Sequence, residues 1–274
     1  MHDITVRQMD FGIPESIDPL VMPGEPEWSY FTVALSLLLP YLEPYLIHTM
    51  KRAKAHIRDP DLLADLAQFT GQEGQHYRQH ILFNDAVRGY GFTRLNGFES
   101  ELKSDYERFT RTKSLRWNLA YAEGFEALTT AVARYSFEMG FNAALEPRAV
   151  RNLWSWHLVE EVEHRTVAFD VYDGLYGSYG YRLLIASYGQ WHLLQWVFRV
   201  LSYMLKNDPR VHREFGGPKA QRRRILRHVG MMRRHLLPKV LRTYSPRYRP
   251  QEIEVPNEMK RLAEEYTQSA LRTS

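Results

Sequence analysis

The chain has 274 residues, 44% of them hydrophobic and 13% aromatic, which is enough for a large core and excludes a disordered chain. It contains no cysteine, so disulfides and thiolate metal sites are excluded and any metal must be held by oxygen and imidazole. The net charge of +4 hides an asymmetry: residues 201–274 carry 17 Lys and Arg against 7 Asp and Glu, whereas residues 1–200 carry 19 against 25.

Residues 1–27 form a proline-rich arm with little periodicity and no basic-then-apolar leader pattern. Together with the lack of cysteine this predicts a cytoplasmic protein. From Trp28 the apolar positions recur at helical spacing, and the pattern predicts helices at 28–57, 60–89, 98–111, 115–139, 147–173, 180–206, 218–243 and 256–271. Asp59-Pro60, Ser114 and Pro147 supply start signals, and the glycine-rich stretches at 89–98 and 173–181 separate elements. Pro44 removes the backbone donor that the carbonyl of Pro40 would use, which predicts a kink. The apolar stretch 183–198 contains Gln190, His192 and Gln195 and stops at Arg199, so it is too short and too polar for a membrane span.

Glu-x-x-His occurs as Glu73…His76 in the second helix and Glu161…His164 in the fifth. At 100° per residue each pair lies on one helix face, close enough to serve one cluster. With 11 histidines and 21 glutamates, roughly one such pair is expected by chance, so the motif alone has little weight. Order adds weight. Glu43, in "LLLPYLEPYLI", precedes the first motif on a separate helix, and Glu126, in "YAEGFEALTTAV", precedes the second. Glu, Glu-x-x-His, Glu, Glu-x-x-His over four helices is the ligand order of ferritin-like di-iron and di-manganese bundles. Four buried carboxylates would not stay ionised without cations, and two divalent ions neutralise them.

His157 precedes Glu161 by one turn and shares the face of Glu161 and His164, which makes it a third candidate imidazole. His80 lies one turn beyond His76 and is read first as a supporting group. Glu160 is the alternative to Glu161, and Glu123 the alternative to Glu126. Trp154 and Trp156 read as packing residues. Gly71, Gly74 and Gly124 flank the candidate ligands, and close helix approach or space for a small molecule would each explain a helix-interior glycine.

The segments "LSLLLPYLEPYL", "DPDLLADLAQFTGQEGQHYRQHILFND", "EALTTAV" and "WHLVEEVEHRTVAFDVY" resemble the bacterial family described as predicted metal-dependent hydrolases, over roughly residues 28–205. The resemblance implies a ferritin-like fold and a ligand role for Glu43, although Leu42 stands where the family motif has glycine. It points to Glu126 rather than Glu123, and Ala127 replaces the family's histidine. The His-x3-Glu-x2-His spacing is also similar to that of arylamine N-oxygenases, and by that analogy His157 is a ligand.

The expectation is therefore an all-α, ferritin-like four-helix bundle over residues 28–206, preceded by the arm 1–27 and followed by a basic helical extension, 207–274. Two metal ions, iron first with manganese or zinc as alternatives, would be held by Glu43, Glu73, His76, Glu126, His157, Glu161 and His164. Glu73 and Glu161 would bridge. Dioxygen activation, with an electron donor and a small apolar substrate, is the leading function. The alternatives are hydrolysis of an ester or amide through a metal-bound hydroxide, and a non-enzymatic metal-binding role. Residues 218–244 carry an apolar stripe among arginines, which suits either packing on the bundle or peripheral contact with an anionic membrane. Without interleaved aromatic residues, nucleic acid ranks last among the partners.

Overall fold

The computed structural model describes residues 4–273, and side chains as far as Leu271. Among the described residues there are helices and no strands, so the chain is an all-α bundle. In chain order the helices are α1 (Pro26–Lys54), α2 (Pro60–Arg88), α3 (Leu95–Thr112), α4 (Leu115–Met139), α5 (Arg148–Glu163), α6 (Val167–Leu175), α7 (Tyr179–Asn207), α8 (Arg210–Arg213), α9 (Gly217–Met231), α10 (Leu237–Thr243) and α11 (Asn257–Thr273). A π-helical stretch, Met232–Leu236, joins α9 to α10 without a break.

Local chemistry sets several boundaries. Asp59 Oδ1 accepts from the backbone of Asp61 and Leu62 at the start of α2, and Ser114 Oγ accepts from Trp117 N at the start of α4. Gly140 ends α4 at φ +67°, a conformation that favours glycine. α1 continues through Pro40 and Pro44. The helix expected over 147–173 is two helices: α5 ends at Glu163, His164 caps it at φ −92° and ψ 10°, and α6 restarts at Val167. No glycine or proline marks that break. It coincides with His164, whose ring is held by α2 through Gln72 and Phe69, so tertiary contacts override local propensity.

α1 packs along α2, and α4 packs along α7 and against α5 and α6. α1 is long and apolar enough to cross a membrane, yet much of it is buried in the bundle, including Glu43. The N-terminal arm, though irregular, is docked. Thr5 O, Met9 O and Ile17 N bond to Gln72, Gln79 and Ala86 in turn, so the arm runs beside α2 in the same direction.

Candidate metal centre

The four helices α1, α2, α4 and α5 bring Glu43, Glu73, His76, Glu126, His157, Glu161 and His164 into one buried cluster, each at most 3% exposed. Glu161 Oε1 is central, 3.3 Å from His157 Nε2 and 3.7 Å from both His76 Nδ1 and His164 Nε2. Glu73 Oε1 lies 3.4 Å from His164 Nε2 and 4.0 Å from His76 Nδ1, so it faces both motif histidines. Glu126 Oε2 is 3.3 Å from His164 Nε2, and Glu43 Oε1 is 4.0 Å from His157 Nδ1. The ligand atoms fall into two groups, Glu43 with His76 and His157, and Glu73 with Glu161 and His164.

Nine donor atoms in this cluster are buried and lack a hydrogen-bond partner: both oxygens of Glu43, Glu73 and Glu126, Glu161 Oε2, His76 Nδ1 and His164 Nε2. A buried polar atom left unpaired costs about 1–3 kcal/mol, and ionised groups cost more. So many orphans pointing at a common centre fit metal ions that would satisfy them together. Ligand atoms sharing an ion with bonds of about 2.1 Å lie about 3 Å apart, close to the shorter separations here.

Electrostatics describe the same unmet charge. Burial pushes Glu43 and Glu73 well above the usual carboxylate range, and neighbouring carboxylates add to it. Burial, then the nearby Glu161, pushes Glu126 up to about 7. Glu161 is the exception. Burial opposes its charge, but the facing imidazoles of His157 and His164 outweigh that and hold it well below the usual range. Burial also opposes a charge on His164, yet Glu126 and Glu161 raise it well above the ordinary histidine value. Burial, then His157, lowers His76.

A surrounding layer fixes which atoms face the centre. His76 Nε2 lies 2.9 Å from Glu160 Oε2, leaving Nδ1 toward the cluster. Trp156 Nε1 and Arg7 Nη1 each donate to Glu160 Oε1 at 2.8 Å. Gln72 Oε1 is 2.9 Å from His164 Nδ1, which turns Nε2 inward, while Gln72 Nε2 donates to Glu163. Arg7 also binds Glu163 at 2.7 and 2.8 Å, so one guanidinium supports both motif histidines. His80 Nε2 is 3.2 Å from His157 Nδ1, and His80 Nδ1 is 2.8 Å from Ser36 Oγ, which donates to Asn84.

Glu160 is therefore committed to Arg7, Trp156 and His76 and does not stand in for Glu161. Glu123 is paired with Arg182 at 2.7 Å, outside the cluster. Trp156 and Trp154 are more than packing. The Trp156 ring meets His76 edge-on at 4.8 Å, and Trp154 lies against His80 and His157 at 4.9 and 5.7 Å. A Cβ on Gly124 would come within 2.4 Å of Ala186 Cα, and one on Gly71 within 2.5 Å of Val6, so close approach accounts for both. Gly74 has open space around it. Sequence reasoning missed Arg7, Gln72, Ser36 and Asn84. Only Gln72 carried a local signal, as a polar residue one turn before His76 on the ligand-bearing side of α2.

The profile of the family described as "Predicted metal-dependent hydrolase" matches residues 5–254, a span that begins in the arm carrying Arg7 and contains all seven clustered residues. No curated protein and no solved structure matches the chain. On that match over most of its length, the chain belongs to the predicted metal-dependent hydrolase family.

Proposed function

We propose that the seven clustered residues bind two divalent metal ions, iron first, and that the protein is a metalloenzyme activating dioxygen to oxidise an apolar organic substrate. The observation that carries this reading is the set of nine unpartnered donor atoms from four glutamates and two Glu-x-x-His motifs. That donor set and helix order match carboxylate-bridged di-iron and di-manganese bundles, and hard oxygen with imidazole suits those metals. When bound, the ions would supply a redox-active, electrophilic centre for dioxygen chemistry.

The chain's own residues prepare that centre. Glu161 and Glu73 face the histidines of both donor groups, and with Glu43 and Glu126 they would hold the ions. Glu160 and Gln72 orient His76 and His164. His80 supports His157 across their 3.2 Å contact, with Ser36 behind it. Phe69 and Trp156 pack on the histidines and keep bulk water out. A hydroxylation would consume dioxygen, two protons and two electrons from an external donor such as a reduced flavin or iron–sulfur protein, and release water.

Hydrolysis is the second reading, favoured by the family's description. Here the same residues would hold the ions that activate water against an ester or amide. Metal analysis with dioxygen uptake separates the two. The oxidative reading expects two iron ions per chain, loss of both in the Glu73→Ala, Glu161→Ala double variant, and dioxygen uptake by the reduced protein. Turnover in the absence of dioxygen with zinc alone would transfer the assignment to hydrolysis. Wild-type protein with no stoichiometric metal would remove both readings.

A further inference from the structure

An apolar cavity of about 60 Å³ lies between α1, α4, α5 and the π-helical stretch. Its walls include Phe31, Leu35, Val132 and Leu158, closed on the tail side by Met232 and Leu236. One wall is Trp154, whose opposite contacts are the rings of His80 and His157. Leu158 follows His157 directly in α5. The cavity thus abuts the His157 edge of the cluster with one aromatic ring between them.

Two of its lining residues carry an unpaired polar atom. Trp154 Nε1 and Tyr135 Oη both belong to lining residues, both are buried, and neither has a hydrogen-bond partner. Buried donors in native proteins are nearly always paired, so two orphans on one cavity wall point to an absent acceptor. We propose that this cavity binds an uncharged, mainly apolar substrate carrying one hydrogen-bond acceptor, such as a carbonyl, ester or ether oxygen, which Tyr135 and Trp154 recognise. The free volume limits the enclosed part to a short alkyl segment or the ester end of a larger molecule, the rest of which would extend past Met232. The assignment of this ligand as substrate rests on the metal-centre reading, whereas its binding does not.

The test measures binding of methyl benzoate, and of ethylbenzene as the acceptor-free control, to purified full-length protein by calorimetry, with metal content measured in parallel. Methyl benzoate is expected to bind about five-fold more tightly than ethylbenzene, as one extra satisfied hydrogen bond provides. Tyr135→Phe with Trp154→Phe should bring the two affinities together, and Ser136→Trp, which fills the cavity, should abolish both. No binding of either probe to wild-type protein, or a preference that survives the double substitution, overturns the proposal. Binding that persists in protein shown to lack any metal site leaves the cavity standing and removes only the enzymatic reading.

The outer face of the C-terminal helices independently carries a second site. Leu226, Val229, Leu237 and Leu241 are exposed, Leu226 and Leu241 by about 60% of their surface. Arg222 and Arg233 sit one turn from Leu226 and Leu237, and with Arg223 and Arg234 they have no ion pair among the described residues. Tyr179 donates to Tyr244 O, and Tyr244 donates to Gln190, so the C-terminal end of α10 meets α7. On α7, Leu184, Tyr188, Trp191 and Phe198 form a further exposed apolar row, all within about 80° of the helix surface. Apolar residues ringed by unpaired arginines complement an anionic bilayer: the leucines and tryptophan enter the headgroup boundary, and the guanidinium groups meet lipid phosphates. We infer that this face docks on anionic membrane.

Co-sedimentation of the full chain with phosphatidylcholine vesicles, with and without a third of phosphatidylglycerol, tests this. Binding is expected only with phosphatidylglycerol, and to weaken at high salt. Leu226→Glu with Leu241→Glu should reduce it at least about ten-fold, given what each buried leucine contributes, while metal content stays unchanged. Equal binding to both vesicle types, none to either, or equally tight binding of soluble polyglutamate overturns the inference, the last by pointing to an acidic protein instead.

Discussion

His76 Nε2 lies 2.9 Å from Glu160 Oε2, and that contact decides which nitrogen of the ring faces the cluster. Glu160 is itself held by Arg7 and Trp156, so the ring is positioned by a carboxylate that has no free rotation of its own. Burial pushes Glu160 up to about 7, with Arg7 pulling against the shift. Glu160→Gln keeps the shape and loses the charge. Metal affinity should fall by about 10–100-fold, the usual cost of removing an orienting partner, measured by competition with a chelator. Glu161→Ala, at the centre of the cluster, should lose the metal outright. Equal behaviour of the two variants would show that Glu160 is itself a ligand.

Arg7 ties the arm to both ends of this layer, with Glu160 and Glu163 as partners and a further donation to Thr267 on α11 at 2.8 Å. Arg7→Ala would leave the buried Glu160 and the half-buried Glu163 without a cation, and breaking a buried pair in this way typically costs about 3–5 kcal/mol. Arg7→Lys should recover only part, because an ammonium cannot reproduce the forked contacts. Denaturant unfolding of the three proteins checks this order. A fully stable Arg7→Ala protein would mean that the arm is not part of the folded unit.

These two residues also show where the sequence was legible. The helices and the Glu-x-x-His faces are local patterns, set by periods of a few residues, and could be read directly. His80 shares the face of His76 one turn on, so its angle alone allows a ligand or a supporting group. The supporting role is read first because metal sites need such partners, and the structure places His80 against His157. The choice between Glu161 and Glu160 was open because both lie within reach of the same helix face. Arg7, 153 residues earlier in the chain, is what occupies Glu160, and no local spacing encodes that contact. The end of α5 was hidden for the same reason, since α2 holds His164 where the backbone leaves the helix.

The glycines give a contrast that needs no metal. Gly124→Ala would drive a methyl group into the backbone of Ala186, and overpacking of this kind costs about 1–3 kcal/mol. Gly74→Ala meets nothing within 4 Å in a helix interior, so it should stabilise the protein by up to about 1 kcal/mol. Thermal unfolding should move in opposite directions for the two variants. A loss of stability in Gly74→Ala would mean that the open space beside Glu73 is filled in the working protein.

Glu123 supplies a pH dependence outside the metal cluster. Burial pushes this carboxyl up to about 7, although Arg182 lies 2.7 Å away and pulls against the shift. A carboxyl with a raised folded value binds its proton more tightly when folded. Its stabilising contribution is therefore complete below the unfolded value, near 4.5, and is lost as pH rises through about 7. The shift corresponds to about 3 kcal/mol. Glu123→Gln cannot titrate, so between pH 5 and pH 8 its stability relative to wild type should improve by roughly that amount. Denaturant midpoints of both proteins, in the same metal state at each pH, provide the measurement. A difference that stays constant across the range would show that Glu123 remains ionised in the fold, with Arg182 prevailing over burial.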